Sequence, residues 1–107
     1  MIVEYIRYEL KQHQPDDLIA AYRQAATQLQ AAPQCLGYEL SHCVEDVSSL
    51  TLRILWTSTE DHLQGFRKGP HFPPFLAAIR PFIGEIAEMR HYQPAGVEWQ
   101  RPNPSGA

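Results

Sequence analysis

Two helical stripes bounded by prolines, set among four runs of strand-like alternation, leave this chain few ways to fold. The first run, Ile2-Val3-Glu4-Tyr5-Ile6-Arg7-Tyr8, is rich in β-branched and aromatic residues. Ile2, Ile6 and Tyr8 share one parity with Glu4; Val3 and Tyr5 share the other with Arg7. Pro15 then supplies a first-turn proline, and Asp16 and Asp17 put carboxylates where a helix N-terminus favours negative charge. Leu18, Tyr22, Ala25, Leu29 and Ala32 follow at helical spacing, a single apolar stripe that ends at Pro33. Residues 35–44 alternate again, with Tyr38, Leu40, His42 and Val44 on one parity. A polar turn leads into residues 50–56, where Leu52, Ile54 and Trp56 share a face, so the two runs predict a hairpin.

Ser58, followed by Glu60 and Asp61, predicts the N-cap of a helix carrying His62, Leu63 and Phe66, interrupted at Gly69-Pro70. Pro73 and Pro74 open a further short helix with Phe72, Phe75, Leu76 and Ile79, which Pro81 closes. Residues 85–92 read as a fourth strand, because the order of elements outweighs the helix propensity of their Ala, Glu and Met.

The order βαββαβ defines an α+β, ferredoxin-like unit: a four-stranded antiparallel sheet with its helices on one face. Both strand parities carry apolar side chains, Val3, Tyr5 and Leu55 against Ile6, Ile54 and Trp56. At about 25 cal/mol per Å², sheltering the bare face is worth many kcal/mol, which predicts a C2 homodimer packed sheet to sheet. The expected organisation is one domain over residues 1–93 and an irregular Pro/Gly-rich tail over 94–107, with Trp99 as its anchor.

Composition narrows the function. Nine Lys and Arg against twelve Asp and Glu, a net charge of −3, provide no basic surplus for a nucleic-acid partner. No apolar run reaches the roughly 18–20 residues that cross a bilayer, and Glu4, Arg7 and Glu9 break up the start, so the expectation is a mature cytoplasmic protein with no membrane partner. Along an extended strand Cys35 and Cys43 would stand roughly 26 Å apart, far beyond disulfide reach, so both are expected as free thiols. His13, His42, His62, His71 and His91 show no metal-ligand spacing, and no metal site is expected from them. Phosphate loops, paired-carboxylate motifs and an ordered Ser-His-Asp set are absent from the sequence.

The string from Leu52 to Leu63, with its Trp56-x-Ser58-x-x-x-His62 run, followed by Phe66-Arg67 and the aromatic segment Phe72 to Phe75, resembles the strand-to-helix signature of the antibiotic biosynthesis monooxygenase family. The likeness in element order covers residues 1–93. It implies a dimeric α/β barrel with a pocket between helices and sheet, and a range of functions that includes cofactor-free oxidation of electron-rich aromatics and haem degradation. Cys35-x-Gly37-Tyr38-Glu39-Leu40 and Glu88-Met89-x-His91-Tyr92 resemble a subset associated with truncated globins, which adds a globin as a candidate partner.

Cofactor-free oxidation needs a base, a group to hold the substrate anion and an apolar pocket that excludes water. His62 and His71 are the candidate bases, Arg67 and Arg80 the candidate anion stabilisers, and Tyr38, Trp56, Phe66, Phe72 and Phe75 the candidate walls for a flat ring. Each also suits a structural role: the aromatics sit at core spacing, and His62 is free to face solvent from a first helical turn. His91 and Tyr92, at the end of the last strand, are placed to reach either a pocket mouth or the dimer interface, and the interface is preferred. The two well-understood branches of the family use a pocket asparagine, whereas Asn103, the single asparagine here, lies in the tail. The haem branch also uses a histidine late in the second helical region, where this chain has Phe75-Leu76-Ala77-Ala78. These departures disfavour haem degradation and leave the quinone-forming mechanism only a different anion-binding group, such as Arg67 or a histidine; the activity that the resemblance implies is a cofactor-independent monooxygenase acting on a small electron-rich aromatic or polyketide-like compound. The alternatives are a non-catalytic ligand-binding module or globin partner and, behind both, haem binding.

Overall fold

A computed structural model describes residues 1–103. Strand β1 (Ile2–Glu9) leads to helix α1 (Pro15–Ala31), strands β2 (Cys35–His42) and β3 (Ser49–Trp56), helix α2 (Phe72–Ile79) and strand β4 (Ile86–Tyr92). The sheet order is β2-β3-β1-β4 with every neighbouring pair antiparallel, the ferredoxin-like arrangement that the order of elements predicts.

Local chemistry sets the boundaries. The Gln14 N–H donates to the Asp17 carboxylate at 2.9 Å, so an acid in the first turn caps α1. Leu18, Tyr22, Ala25 and Leu29 are all buried, and they pack with Ile6, Tyr8, Leu52, Ile54 and Trp56 into one core between sheet and helices. Within it the Tyr8 and Tyr22 hydroxyls bond to each other at 2.5 Å, and burial pushes the Tyr8 phenol up to about 12. On the opposite face lie Val3, Tyr5, Leu55 and Tyr92, where Tyr5 and Tyr92 meet edge to face at 5.5 Å.

Four sequence expectations change. Strand β2 stops at His42, leaving Val44 exposed in the turn. The Ser58 hydroxyl does accept the Asp61 N–H, at 2.9 Å, but the helix widens at once into a π-helical turn, Asp61–Phe66, closed by an Arg67 N–H to His62 carbonyl bond of 3.0 Å. Gly69 lets the chain leave this turn, because a Cβ there would stand 2.6 Å from the Gly65 carbonyl oxygen. Beyond α2 a 3-10 helix, Arg80–Glu85, continues past Pro81 and buries Phe82. Trp99 is 72% exposed, with Arg101 over its ring, so it does not anchor the tail to this chain. Cys35 and Cys43 are free thiols, as their spacing predicts. Among the described residues no helix is long and apolar enough to cross a membrane.

Glu85 ties the end of the 3-10 helix to the β1–α1 loop. Its carboxylate accepts the Gln12 and Lys11 N–H groups, each at 2.7 Å, and contacts His13 Nδ1 at 2.5 Å. These bonds, that of Gln12 first, hold its pKa down to about 2 from an ordinary 4.5. A depressed folded-state value means that the anchor's contribution is complete above pH 4.5 and is lost as the pH falls towards 2. Acid titration followed by circular dichroism should therefore show Glu85→Gln losing less stability than the parent chain across that window; parallel curves would exclude the anchor.

Candidate functional site

The helix-facing parity of β1 carries one polar residue among Ile6 and Tyr8, and that residue is Glu4. Its carboxyl is 1% exposed and accepts a hydrogen bond from Trp56 Nε1 at 3.0 Å, while Oε2 has no hydrogen-bond partner among the described residues. Antiparallel register places His91 of β4 directly opposite Glu4, so that strand parity turns the imidazole to the helix side. The π-helical turn brings His62 over both. Its ring stacks on Trp56 at 4.3 Å and 9°, Nδ1 bonds His91 Nε2 at 2.8 Å, and Nε2 lies 3.6 Å from Glu4 Oε1.

Burial raises the Glu4 carboxyl above its ordinary range, opposed by the Trp56 hydrogen bond and the charges of His91 and Arg67. Burial, then Arg67 and His91, hold His62 down to about 3. His62 is therefore a neutral imidazole at neutral pH, and its 3.6 Å approach to Glu4 is a polar contact rather than an ion pair.

Glu4 and His62 form one wall of a cavity of about 190 Å³ between α2 and the sheet. Trp56, Phe66, Phe72 and Phe75 line it, in mutual ring contacts of 4.9 to 6.4 Å, and Arg67 borders it with Nη2 3.8 Å from Met89 Sδ. Six of the nine residues expected at a site, His62, Arg67, Trp56, Phe66, Phe72 and Phe75, thus surround one volume. Three stand apart. Tyr38 lines a wider groove of about 390 Å³ between α1 and the edge strand β2, and its hydroxyl accepts from Gln30. His71 bonds Gln28 Oε1 at 3.2 Å beside Gly69-Pro70, and Arg80 is exposed at the start of the 3-10 helix. Of the two places open to His91, the structure puts it with Glu4 and His62 on the helix side of the sheet, partly exposed, while Tyr92 faces outward.

Spacing alone does not single out Glu4 or join His91 to it, because the three members of the cluster come from β1, the π-helical turn and β4. The usable signal was the parity of β1, an acid in register with Ile6 and Tyr8.

The chain belongs to the antibiotic biosynthesis monooxygenase family, whose model matches residues 1–78. It is 26% identical over 93 residues to the uncharacterized protein YczJ of Bacillus subtilis, spanning 87% of this chain and 98% of that one. A protein from Bordetella bronchiseptica, provisionally assigned as an antibiotic biosynthesis monooxygenase, has the same fold with a TM-score of 0.74 at 23% identity, covering 88% of this chain and 96% of its own. A variant of SnoaB, a cofactor-independent oxygenase from Streptomyces nogalater, superimposes with a TM-score of 0.73 at 15% identity, over 90% and 94% of the two chains.

Proposed function

We propose that this chain is a monooxygenase of the antibiotic biosynthesis type that oxidises a small electron-rich aromatic without a cofactor, as a cytoplasmic homodimer. The observation that carries the reading is a buried carboxylate with a vacant acceptor, Glu4 Oε2, at the wall of an aromatic-lined cavity bordered by an arginine. The cavity volume supports a small substrate: about 190 Å³ is slightly more than the roughly 150 Å³ that holds one benzene ring, which favours a single-ring hydroquinone over a three-ring anthrone.

The chemistry assigned to each group is simple. Glu4 takes the phenolic proton, with His62 and His91 keeping the carboxyl in place, and Arg67 faces the phenolate. The electron-rich anion passes one electron to dioxygen, and the resulting radical pair collapses to a ring peroxide, which Glu4 reprotonates. Loss of the C–H proton at that carbon then breaks the O–O bond and expels water. Hydroquinone plus O₂ gives hydroxyquinone plus water, and Glu4 ends as it began.

Oxygen uptake by chelator-treated protein tests this, with single-ring hydroquinones and anthrones each measured against an autoxidation blank. Saturable uptake for the single rings, without hydrogen peroxide release, is expected. Uptake at the blank level, or peroxide equal to the oxygen consumed, overturns it and favours a ligand-binding module or globin partner. The dimer reading rests on Val3, Tyr5, Leu55 and Tyr92 across the outer sheet face; light scattering that returned the mass of one chain would remove it.

A further inference from the structure

We propose that Glu4, His62 and His91 form a binding site for one divalent first-row transition ion. One donor atom from each lies within 4.8 Å of the others. His62 Nδ1 and His91 Nε2 stand 2.8 Å apart, and His91 Nε2 is 3.9 Å from Glu4 Oε2. At a tetrahedral angle, two donors each about 2.0–2.2 Å from a common ion stand roughly 3.3–3.6 Å apart, a range that these two separations bracket. The third side of the triangle is no longer than 4.8 Å, so the donors must close by at most about 1.5 Å to share one ion.

Independently of this geometry, Glu4 Oε2 is a buried acceptor with no partner among the described residues, an arrangement that costs free energy unless something else satisfies it. A cation at the cluster does so, and it replaces the single proton that the His62–His91 bond must otherwise hold. Two imidazoles and one carboxylate select a borderline ion such as Zn²⁺, Co²⁺, Fe²⁺ or Ni²⁺ over Mg²⁺ or Ca²⁺, and three protein donors leave coordination positions open. Glu4 and His62 both line the cavity, so those positions face it. Arg67 borders the same cavity, and its positive charge suits an anionic ligand in the open position.

The site shares Glu4 with the oxidation proposed above. With an ion bound, the carboxylate is a ligand and cannot act as the base; the ion is a competitor for the base and not the agent of turnover.

The test is a Co²⁺ titration of the chelator-treated full chain, followed by visible d–d absorption. Saturation at one Co²⁺ per chain is expected in the parent protein and in the controls His13→Ala and His71→Ala. In His91→Ala, a partly exposed position whose folding is checked by circular dichroism, affinity should fall at least about 100-fold, the upper end of what losing an outer-shell partner costs. Absence of a saturable signal, or equal affinity in His91→Ala, overturns the site. Because absorption does not depend on turnover, Co²⁺ binding without oxygen uptake refutes only the oxidation, and uptake without Co²⁺ binding refutes only the metal site.

Discussion

Trp56→Ala is expected to lower the free energy of unfolding by about 4 kcal/mol, a large part of the whole for a domain of this size. The indole is 1% exposed, stacked on His62 and in contact with Phe66, so truncation opens a void that the π-helical turn cannot close without moving. It also takes away the hydrogen-bond donor that Trp56 offers to the Glu4 carboxyl. Trp56→Phe separates the two effects. Phenylalanine keeps most of the volume and loses the N–H, so it should cost about 2 kcal/mol, the penalty for leaving a buried polar group without its partner. Urea unfolding read by circular dichroism measures both. A Trp56→Ala cost below about 1 kcal/mol would refute the packing account, and a Trp56→Phe chain as stable as the parent would show that the bond to Glu4 contributes nothing.

The same residue shows what the sequence could and could not disclose. Trp56, Phe66, Phe72 and Phe75 were legible because apolar parity in a strand and apolar spacing in a helix both point to the layer between them, and the cavity lies in that layer. Tyr38 satisfied the same rule and still falls outside, since β2 is the edge strand beside α1, two strands away from Glu4. Parity tells which face a side chain takes and says nothing of which helix covers it. His71 and Arg80 failed for a related reason. They flank α2 rather than lie on its buried face, and their positions depend on the Gly69 turn and the 3-10 helix, which carry no periodic signal.

Alternation cannot decide between a pocket mouth and an interface for His91, because its orientation depends on register. The β1–β4 pairing shifts between Arg7 and Tyr8, and the residues opposite each other beyond that shift cannot be read from alternation alone. Glu4 is the instructive case, since its parity was visible and its meaning was not. An acid among Ile6 and Tyr8 breaks the hydrophobic pattern of the strand at one position, and such breaks concentrate where structure serves a site.

That reading of Glu4 leads to the largest effect expected on activity. In chelator-treated protein, Glu4→Gln should slow oxygen uptake by about 10²- to 10⁴-fold, the usual loss when a positioned base is removed. The amide retains the shape of the side chain and a carbonyl oxygen able to accept from Trp56 Nε1, so packing around it is preserved. Folding should move the other way. An amide avoids the cost of a charged carboxylate at a position 1% exposed, so Glu4→Gln is expected to be at least as stable as the parent chain. Opposite signs in stability and turnover mark a residue retained for chemistry, and a purely structural glutamate cannot produce them. Glu4→Asp sharpens the test: it keeps the carboxylate but withdraws it by one methylene, which should lower kcat more than it raises KM. If Glu4→Gln turns over at the parent rate, the base lies elsewhere in the cavity and His62 becomes the group to replace. If it is both slower and less stable, the carboxylate is holding the His62–His91 pair in place rather than taking the proton.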